Sequence, residues 1–478
     1  MANKKHQLKV GLFGIGLEAY WDQFEGLKER LESYLQVVAT KLQNGDMELV
    51  NLGLIDNPQK ALDAGHRFRQ ADVDIIFLYV TTYALSSTVL PVVQRVKVPV
   101  IILNLSPEAS INYSQFNSMN DSRAMTGEWL AYCSACPVPE IANVFKRARI
   151  QFHQVTGMLH DDPECWTEIE EWVEASRVAS VMFHNNLGAM GHYYSGMLDI
   201  YADLTLQAAT FGGNIEIIEV DELSAIKRSI TAGQVKDRVS YFYDAFDIQN
   251  DCSEFELERA ARTSVALDEL VKLYDLGSLS YYYKGSGNAD NEDTISSIIL
   301  GNSLLTARGV PVAGEYEIKN AQAMKIMDSF GAGGSFTEYY AMDFTDNVVL
   351  MGHDGPGHLK IAEGKTKVRP LRVYHGKIGS GLSVEMAVKQ GPITCLSVVE
   401  GTDGKLFFLV AEGYSVPGPI LQIGNTNSRY KFSIGARKFV TEWNNHGPAH
   451  HCAVGVGHIV SKLKKLGDLL GVMTIQVC

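Results

Sequence analysis

The chain has 478 residues, and 42 Lys and Arg against 55 Asp and Glu give it a formal net charge of -13 at pH 7. At roughly 100–200 residues per domain, this length predicts about three domains. Hydrophobic residues at 46% and charged residues at 20% exclude a disordered or fibrous chain, and the acidic balance argues against a surface that coats nucleic acid.

The N-terminal segment, residues 1–7, is polar and runs directly into a strand-like stretch, unlike a secretory signal. No stretch approaches the roughly 18–20 consecutive apolar residues of a membrane helix. Seven cysteines, an odd number spread along a long chain, do not form the pattern of a disulfide framework. Together these features predict a cytoplasmic protein.

Strand and helix patterns alternate through the first third of the chain. The predicted strands cover Leu8–Phe13, Glu48–Leu54, Val73–Val80 and Val98–Leu105, and the helices between them include Trp21–Leu42 and Ala61–Ala71. Continuous apolar strands separated by helices are typical of a parallel sheet buried on both faces. The pattern therefore predicts a doubly wound α/β domain.

The remainder of the chain is predicted as a second α/β domain and then a β-rich domain. Ile215–Val220 has the pattern of a strand and Glu254–Tyr274 that of a long helix. From about Asp343, short β-type segments alternate with glycine-containing turns, as in an antiparallel barrel or sandwich. We predict two consecutive doubly wound, Rossmann-like α/β domains, residues 1–165 and 166–335, followed by a C-terminal antiparallel β-barrel or sandwich domain, residues 336–478.

Three local motifs fail to support familiar cofactor or nucleophile chemistry. The glycines after the first strand lack the G-x-G-x-x-G spacing, so we reject a nicotinamide cofactor. Cys133 and Cys136 form a single CxxC pair, whereas zinc ribbons need two pairs, so we expect ordinary buried thiols. No G-x-S-x-G elbow supports covalent serine catalysis.

Acids and histidines in small-residue loops of the last third suggest a metal site. Glu315 follows a short apolar run, Glu338 ends a Gly-Gly-Ser-Phe-Thr-Glu segment, and His353 follows a strand. His450 and His451 add two adjacent imidazoles. Taken singly, each residue has a bland alternative as a solvated acid or a structural histidine. Jointly, two carboxylates and two histidines without a thiolate suit Mn, Mg, Co or Fe and argue against structural zinc.

At these residues the chain resembles the L-arabinose isomerase family, within the wider L-fucose/L-arabinose isomerase superfamily. The similarity lies in Ala313-Gly314-Glu315, Gly334-Ser335-Phe336-Thr337-Glu338, Leu350-Met351-Gly352-His353 and Ala449-His450-His451. The resemblance implies that a divalent ion binds Glu315, Glu338, His353 and His451, with His450 as the alternate to His451. It makes Mn²⁺ the first expectation, with Co²⁺, Mg²⁺ and Fe²⁺ as the others.

The resemblance also implies an activity, the aldose–ketose isomerisation of a free pentose or hexose, of the L-arabinose to L-ribulose type. Glu315 and Glu338 would act as base and acid through a cis-enediol, while the metal ion stabilises the developing negative charge. Sugar contacts are expected from Tyr20, His192, Tyr194, Met197 and His450. The implied assembly is a trimer-based homo-oligomer, such as a hexamer, with sites at subunit interfaces.

Two N-terminal segments depart from the family pattern. Where the family has Gly-Ser-Gln-x-Leu-Tyr, the chain has Ile15-Gly16-Leu17-Glu18-Ala19-Tyr20; a family Asn-Gln-x-x-His element appears as Asn120-Asp121-Ser122-Arg123-Ala124. Because those positions help to grip the sugar, we predict a divergent sugar specificity. The alternatives are a sugar C-epimerase that uses the same metal site and a non-catalytic sugar-binding protein.

Overall fold

The computed structural model describes residues 7–43, 47–371 and 379–478. The chain forms two compact units, one that ends at Ser180 and one that runs from Val181 to Cys478. The predicted three-domain division stays a prediction. Within the described ranges, none of the helices is both long enough and apolar enough to cross a membrane.

A five-stranded parallel sheet forms the core of the N-terminal unit. Its strands are β1 (Lys9–Ile15), β2 (Glu48–Ile55), β3 (Ile75–Tyr79), β4 (Val100–Ser106) and β5 (Phe152–Met158), in the order β2-β1-β3-β4-β5. The helices are α1 (Leu27–Leu42), α2 (Pro58–Ala71), α3 (Leu90–Val93), α4 (Tyr113–Asn117), α5 (Ser122–Tyr132), α6 (Val138–Ala148) and, across the division between the units, α7 (Pro163–Phe183). Every residue of β3 is buried, which confirms the predicted parallel sheet.

The helix predicted from Trp21 begins only at Leu27. Gly26 precedes it with φ of 80°, a left-handed conformation that glycine adopts without a steric penalty. Trp21 instead donates its indole N–H to the Asp56 carboxylate at 2.9 Å. Apolar spacing therefore predicted the body of α1 but not the turn before it.

The C-terminal unit begins with a four-stranded parallel sheet. Its strands are β6 (Asn186–Gly191), β7 (Asn214–Ile218), β9 (Ser278–Tyr282) and β10 (Val312–Ala313), in the order β10-β9-β6-β7; β8 (Asp247–Ile248) lies outside this sheet. The helices are α8 (Leu204–Phe211), α9 (Val220–Ser229), α10 (Ala232–Ala245), α11 (Glu254–Tyr274), α12 (Ala289–Ser296), α13 (Ile299–Ala307) and α14 (Ile318–Ser329). The bounds of α11 are those predicted from the sequence.

A closed six-stranded antiparallel barrel follows. The remaining elements are β11 (Gly333–Asp343), β12 (Val348–His353), β13 (Lys367–Leu371), β14 (Gly381–Glu385), β15 (Gly391–Glu400), β16 (Leu406–Ser415), β17 (Thr426–Phe432), α15 (Ala436–Asn445), β18 (His451–Val456), α16 (Val460–Leu470) and β19 (Met473–Gln476). The barrel order is β15-β18-β11-β12-β17-β16, and β16 pairs again with β15. β19 adds in parallel to β16, while β13 and β14 form a small sheet with β8.

Helix α14 joins the parallel sheet to the barrel. It follows β10, leads into β11, and contacts β9 and β10 on one side and β11, β15 and β18 on the other. Almost all of its residues are buried. A helix that is buried on all sides is a rigid element, so its first turn is a firm support for side chains at the junction of sheet and barrel.

Candidate metal centre

Three neighbouring strands of the barrel carry three of the predicted ligands. Glu338 on β11 lies directly opposite His451 on β18, and on its other side it pairs with Gly352 on β12. His353 is the next residue and ends β12. The three side chains therefore come together at one level of the barrel wall.

Glu315 reaches the same place from the parallel sheet. It follows β10 in a turn where both Glu315 and Tyr316 are left-handed, with φ of 59° and 63°. This conformation costs about 1–3 kcal/mol for each non-glycine residue, and such strain concentrates at functional sites. Backbone hydrogen bonds hold the turn, from Tyr316 to Tyr281 at 3.0 Å and from Glu317 to Gly314 at 3.0 Å.

The other three predicted ligands lie around His451. Its Nε2 lies 3.2 Å from Nε2 of His353 and 3.5 Å from a carboxylate oxygen of Glu315. Nε2 of His353 is 4.0 Å from Glu338. Two overlapping groups, Glu315 with His450 and His451, and Glu338 with His353 and His451, each bring three ligand atoms within 4.8 Å of one another. These buried histidines and acids could hold a metal ion.

The hydrogen bonds of the two buried imidazoles fit a cation. Nδ1 of His451 donates to the Glu317 carboxylate, and Nδ1 of His353 donates to the backbone carbonyl of Asp354 at 2.9 Å. In neutral rings, the proton on Nδ1 leaves a lone pair on each Nε2. Two lone pairs facing each other at 3.2 Å repel, so the two nitrogens need either a shared proton or a bound cation. A carboxylate on the distal nitrogen of a metal-binding histidine is a recurrent arrangement.

Close packing holds the two imidazoles in place. The buried ring of Phe336 contacts both, with centroid distances of 4.4 Å to His353 and 4.3 Å to His451. The Thr426 hydroxyl accepts a bond from the backbone N–H of His353 and donates to its carbonyl, both at 3.0 Å. Gly352 leaves no room for a side chain, because a Cβ would lie 1.8 Å from the Thr426 carbonyl oxygen.

His450 occupies a more open position than His451. Its backbone N–H and its Nδ1 both donate to one Asp199 oxygen, at 2.9 and 2.6 Å. Its Nε2 lies 3.7 Å from Glu315 and 4.0 Å from Glu338. The side chain is 36% exposed, whereas that of His451 is fully buried.

Glu338 and His450 have shifted pKa values. Burial raises the pKa of Glu338, and the neighbouring imidazoles offset only part of that effect. Burial alone would lower the pKa of His450, but the nearby carboxylates of Glu315 and Asp199 outweigh it and raise the pKa to about 9. The cluster thus combines a carboxyl group that is easier to protonate than usual with an imidazole that favours its cationic form.

The predicted sugar contacts of the C-terminal unit lie on the loop after β6. The Tyr194 ring packs 4.6 Å from that of Tyr282, and His192 contacts the same ring at 5.3 Å. Tyr282 ends β9, and burial, Tyr194 and Glu315 together raise its pKa. Met197 is half-buried in the same loop. Because β6, β9 and β10 are neighbouring parallel strands, their carboxyl ends bring this loop and Glu315 to one edge.

Tyr20 lies in the N-terminal unit, in a short 3-10 turn where its ring packs 6.0 Å from that of Phe24. Burial raises its pKa, with smaller contributions from Tyr83 and the two nearby cysteines.

The expectation of buried thiols at the CxxC pair is wrong for one member, because Cys133 is buried and Cys136 is exposed. The turn between α5 and α6 turns the second thiol outward.

Sequence reasoning missed three residues around the cluster. Glu317 holds His451, Asp199 holds His450, and the buried Lys319 donates to the backbone carbonyls of Asp199 and Tyr201. Glu317 had a signal, since it lies two residues after Glu315 in the same turn. Asp199 had none, because it is 251 residues from its partner.

Comparisons with known proteins add little to this geometry. No family model matches the chain, and no curated protein matches it. Among solved structures, the apo-structure of D-lactate dehydrogenase from Escherichia coli shows 11% sequence identity, covering 63% of this chain and 98% of that chain. Its TM-score of 0.15 carries no argument about fold or function.

Proposed function

We propose that the chain is a metal-dependent aldose–ketose isomerase of the L-arabinose isomerase type, acting on a free pentose or hexose. The observation that carries the proposal is the placement of Glu315 and Glu338 on either side of two imidazole nitrogens 3.2 Å apart. Isomerisation needs a carboxylate to move a proton between adjacent carbons and a cation to stabilise the oxyanion. The cluster offers groups for both tasks.

Glu315, Glu338, His353 and His451 would hold the ion, for which Mn²⁺ is our first expectation. When bound, a divalent ion acts as a Lewis acid toward the oxygens of the sugar. Glu315 and Glu338 serve as base and acid: one carboxylate removes the proton from the carbon beside the carbonyl, and the adjacent carbon receives it through a cis-enediol.

His450 and the loop after β6 would face the sugar. Nε2 of His450 lies between the two carboxylates and is open to solvent, so it can bind a hydroxyl group. His192, Tyr194 and Met197 line the same edge of the sheet and would contact the sugar carbons and hydroxyl groups away from the reacting atoms. Tyr20 is the remaining proposed contact, and a neighbouring subunit would contribute it.

The finer features of architecture and assembly belong to the same proposal. The strand order β2-β1-β3-β4-β5 of the N-terminal sheet supports a doubly wound domain, because this order is one of the two common ones in that class. We propose a trimer-based homo-oligomer with sites at subunit interfaces, as the family resemblance implies. We place the enzyme in the cytoplasm.

The test is a sugar screen with purified, chelator-treated protein and added Mn²⁺, covering pentoses, hexoses and their 6-deoxy forms. NMR in deuterated water identifies the product and the position of exchange. We expect a ketose, with activity lost on chelation and restored by Mn²⁺. A C2 epimer would indicate the epimerase instead, and metal-independent binding without turnover would indicate a sugar-binding protein.

Active-site variants test the assignment of the carboxylates. We expect Glu315→Gln and Glu338→Gln each to lower kcat by about 10²–10⁴-fold, the range for loss of a general acid or base. The matched control is Glu269→Gln on the exposed side of α11, where the acid pairs with Lys272. Near-normal activity of either active-site variant would contradict the assignment.

A further inference from the structure

The first turn of α14 carries two buried charged side chains with different partners. Glu317, the residue before the helix, is 1% exposed and accepts a hydrogen bond from Nδ1 of His451. Lys319, two residues later, is 4% exposed and donates to the carbonyl of Asp199 at 2.6 Å and that of Tyr201 at 3.2 Å. One turn of helix therefore contacts both the barrel wall and the loop after β6.

The lysine contacts fix the course of that loop. A buried ammonium group is costly unless its protons are bonded, and here two backbone carbonyls accept them. Between those carbonyls, Ile200 is fully buried. The loop is therefore attached on both sides of one buried residue, which leaves it little freedom to move relative to α14.

The position of the loop sets the position of His450. Asp199 accepts hydrogen bonds from the backbone N–H and Nδ1 of His450 with the same oxygen, so backbone and ring are oriented together. With Nδ1 engaged, only Nε2 faces the acids, 3.7 Å from Glu315 and 4.0 Å from Glu338. The path from Lys319 to His450 does not pass through His451.

We propose that Lys319 is a positioning residue, which sets the imidazole of His450 beside the two carboxylates by holding the Asp199 loop, separately from the hold of Glu317 on His451. The importance of this orientation for the sugar rests on the proposed function, whereas the orientation itself is measurable without turnover. The first turn of α14 thus orients two adjacent histidines through two independent contacts.

The test compares Lys319→Met with Lys325→Met, which removes a lysine of the same helix that donates to the Gly309 carbonyl at 2.9 Å. The protein is labelled with ¹⁵N-histidine, and His450→Gln and His451→Gln assign the two rings by loss of their NMR signals. We expect Lys319→Met to shift the ring nitrogens of His450 by more than those of His451, whose ring packs 3.8 Å away. Lys325→Met should shift neither, and Lys319→Arg should restore the wild-type signals.

Mn²⁺ titration calorimetry separates the two contacts. Glu317→Gln should weaken Mn²⁺ binding by about 10–100-fold, as expected for the partner of a metal-binding histidine, and Lys319→Met should leave the affinity at the wild-type value. Unchanged His450 signals in Lys319→Met, or an equal loss of Mn²⁺ affinity in both variants, would overturn the proposal. If Lys319→Met does not fold, Lys319→Gln, whose shorter side chain withdraws the donor from the carbonyls of Asp199 and Tyr201, must give the same His450 shift.

Failure of this inference and failure of the proposed function give different results. If no sugar is turned over but Lys319→Met still shifts His450 more than His451, the positioning stands and the isomerase assignment falls. If a sugar is turned over, Lys319→Met should raise KM for it at saturating Mn²⁺, because His450 faces the substrate. If Lys319→Met changes neither KM nor the NMR signals of His450 in an active isomerase, the proposed function stands and the role of Lys319 is wrong.

Discussion

The barrel wall and the carboxyl-end edge of the parallel sheet both supply carboxylates and imidazoles to the cluster. On the wall these groups stand on strands, and at the edge they stand on loops. On the wall, His353 and His451 stand on the two strands that flank β11, are buried, and have hydrogen-bonded Nδ1 atoms. At the edge, Glu315 stands in a left-handed turn, and His450 pairs with an Asp199 side chain that is 40% exposed. Chemistry alone does not distinguish His450 from His451; the element that carries each one does.

The difference between His451 and His450 indicates a division of tasks between the strand and the loop. Side chains on hydrogen-bonded strands keep a fixed geometry, which suits the binding of an ion. Side chains on loops can be exposed to solvent, which suits contact with an exchanging substrate. Substitutions in the two regions should therefore have different effects on stability and on metal binding.

The largest effect should come from Gly352→Ala on the wall. A Cβ would lie 1.8 Å from the Thr426 carbonyl oxygen and 2.6 Å from Cα of Asn427, so β12 and β17 must separate. We expect the free energy of unfolding in urea to fall by about 3 kcal/mol or more. Gly233→Ala in α10 is the control: its nearest neighbour is 4.0 Å away, and it should gain about 0.5–1 kcal/mol. Equal effects would contradict the tight packing of the wall.

The second effect separates the adjacent histidines. A ligand at 100 times its Kd stabilises a folded protein by about 2.7 kcal/mol, so Mn²⁺ should raise the Tm of the chelator-treated wild type. His450→Gln should keep this stabilisation, and His451→Gln should lose it, because His451 belongs to both ligand groups. Thermal melts with and without Mn²⁺ provide the measurement. The reverse result would make His450 the ligand and His451 a structural residue.

The smallest effects should come from hydroxyl groups. Thr426→Val removes two 3.0 Å bonds to the buried backbone of His353 and should cost about 1–3 kcal/mol in urea denaturation. Tyr193→Phe at the edge loses only one 3.4 Å contact and keeps its packing on Tyr316, so its cost should stay near 0.5 kcal/mol. A larger loss for Tyr193→Phe than for Thr426→Val would reverse the ranking of the two regions.

Local patterns predicted the elements of the fold better than their pairing. The apolar period of α11 and the continuous apolar strands of the N-terminal sheet were readable because each depends on near neighbours in sequence. Whether the last third closes into a barrel was not, since closure depends on the pairing of β16 with both β15 and β17. α15 and α16 were missed because the expected β pattern was extended over them.

Some residues of the candidate site could likewise be predicted from local sequence, and others could not. Glu315, Glu338, His353 and His451 were named from their types, their small-residue neighbours and the family resemblance, and the structure brings them together. Lys319 and Asp199 could not be found, because a lysine within a helix and an aspartate within a loop carry no local signal of a distant partner. Their roles depend on backbone carbonyls and on contacts over more than a hundred residues.

The closure of the barrel has a consequence for its breathing motions. β15 and β16 share ten residue pairs, whereas β16 and β17 share only three, from Gly413–Phe432 to Ser415–Tyr430. Local opening in proteins begins where the fewest hydrogen bonds must break. The pairing of β16 with β17 is therefore the weak point of the barrel. When these two strands separate transiently, β18, β11 and β12 stay paired. The strands that carry the histidines then keep their structure, while the amide protons of β16 and β17 exchange with water.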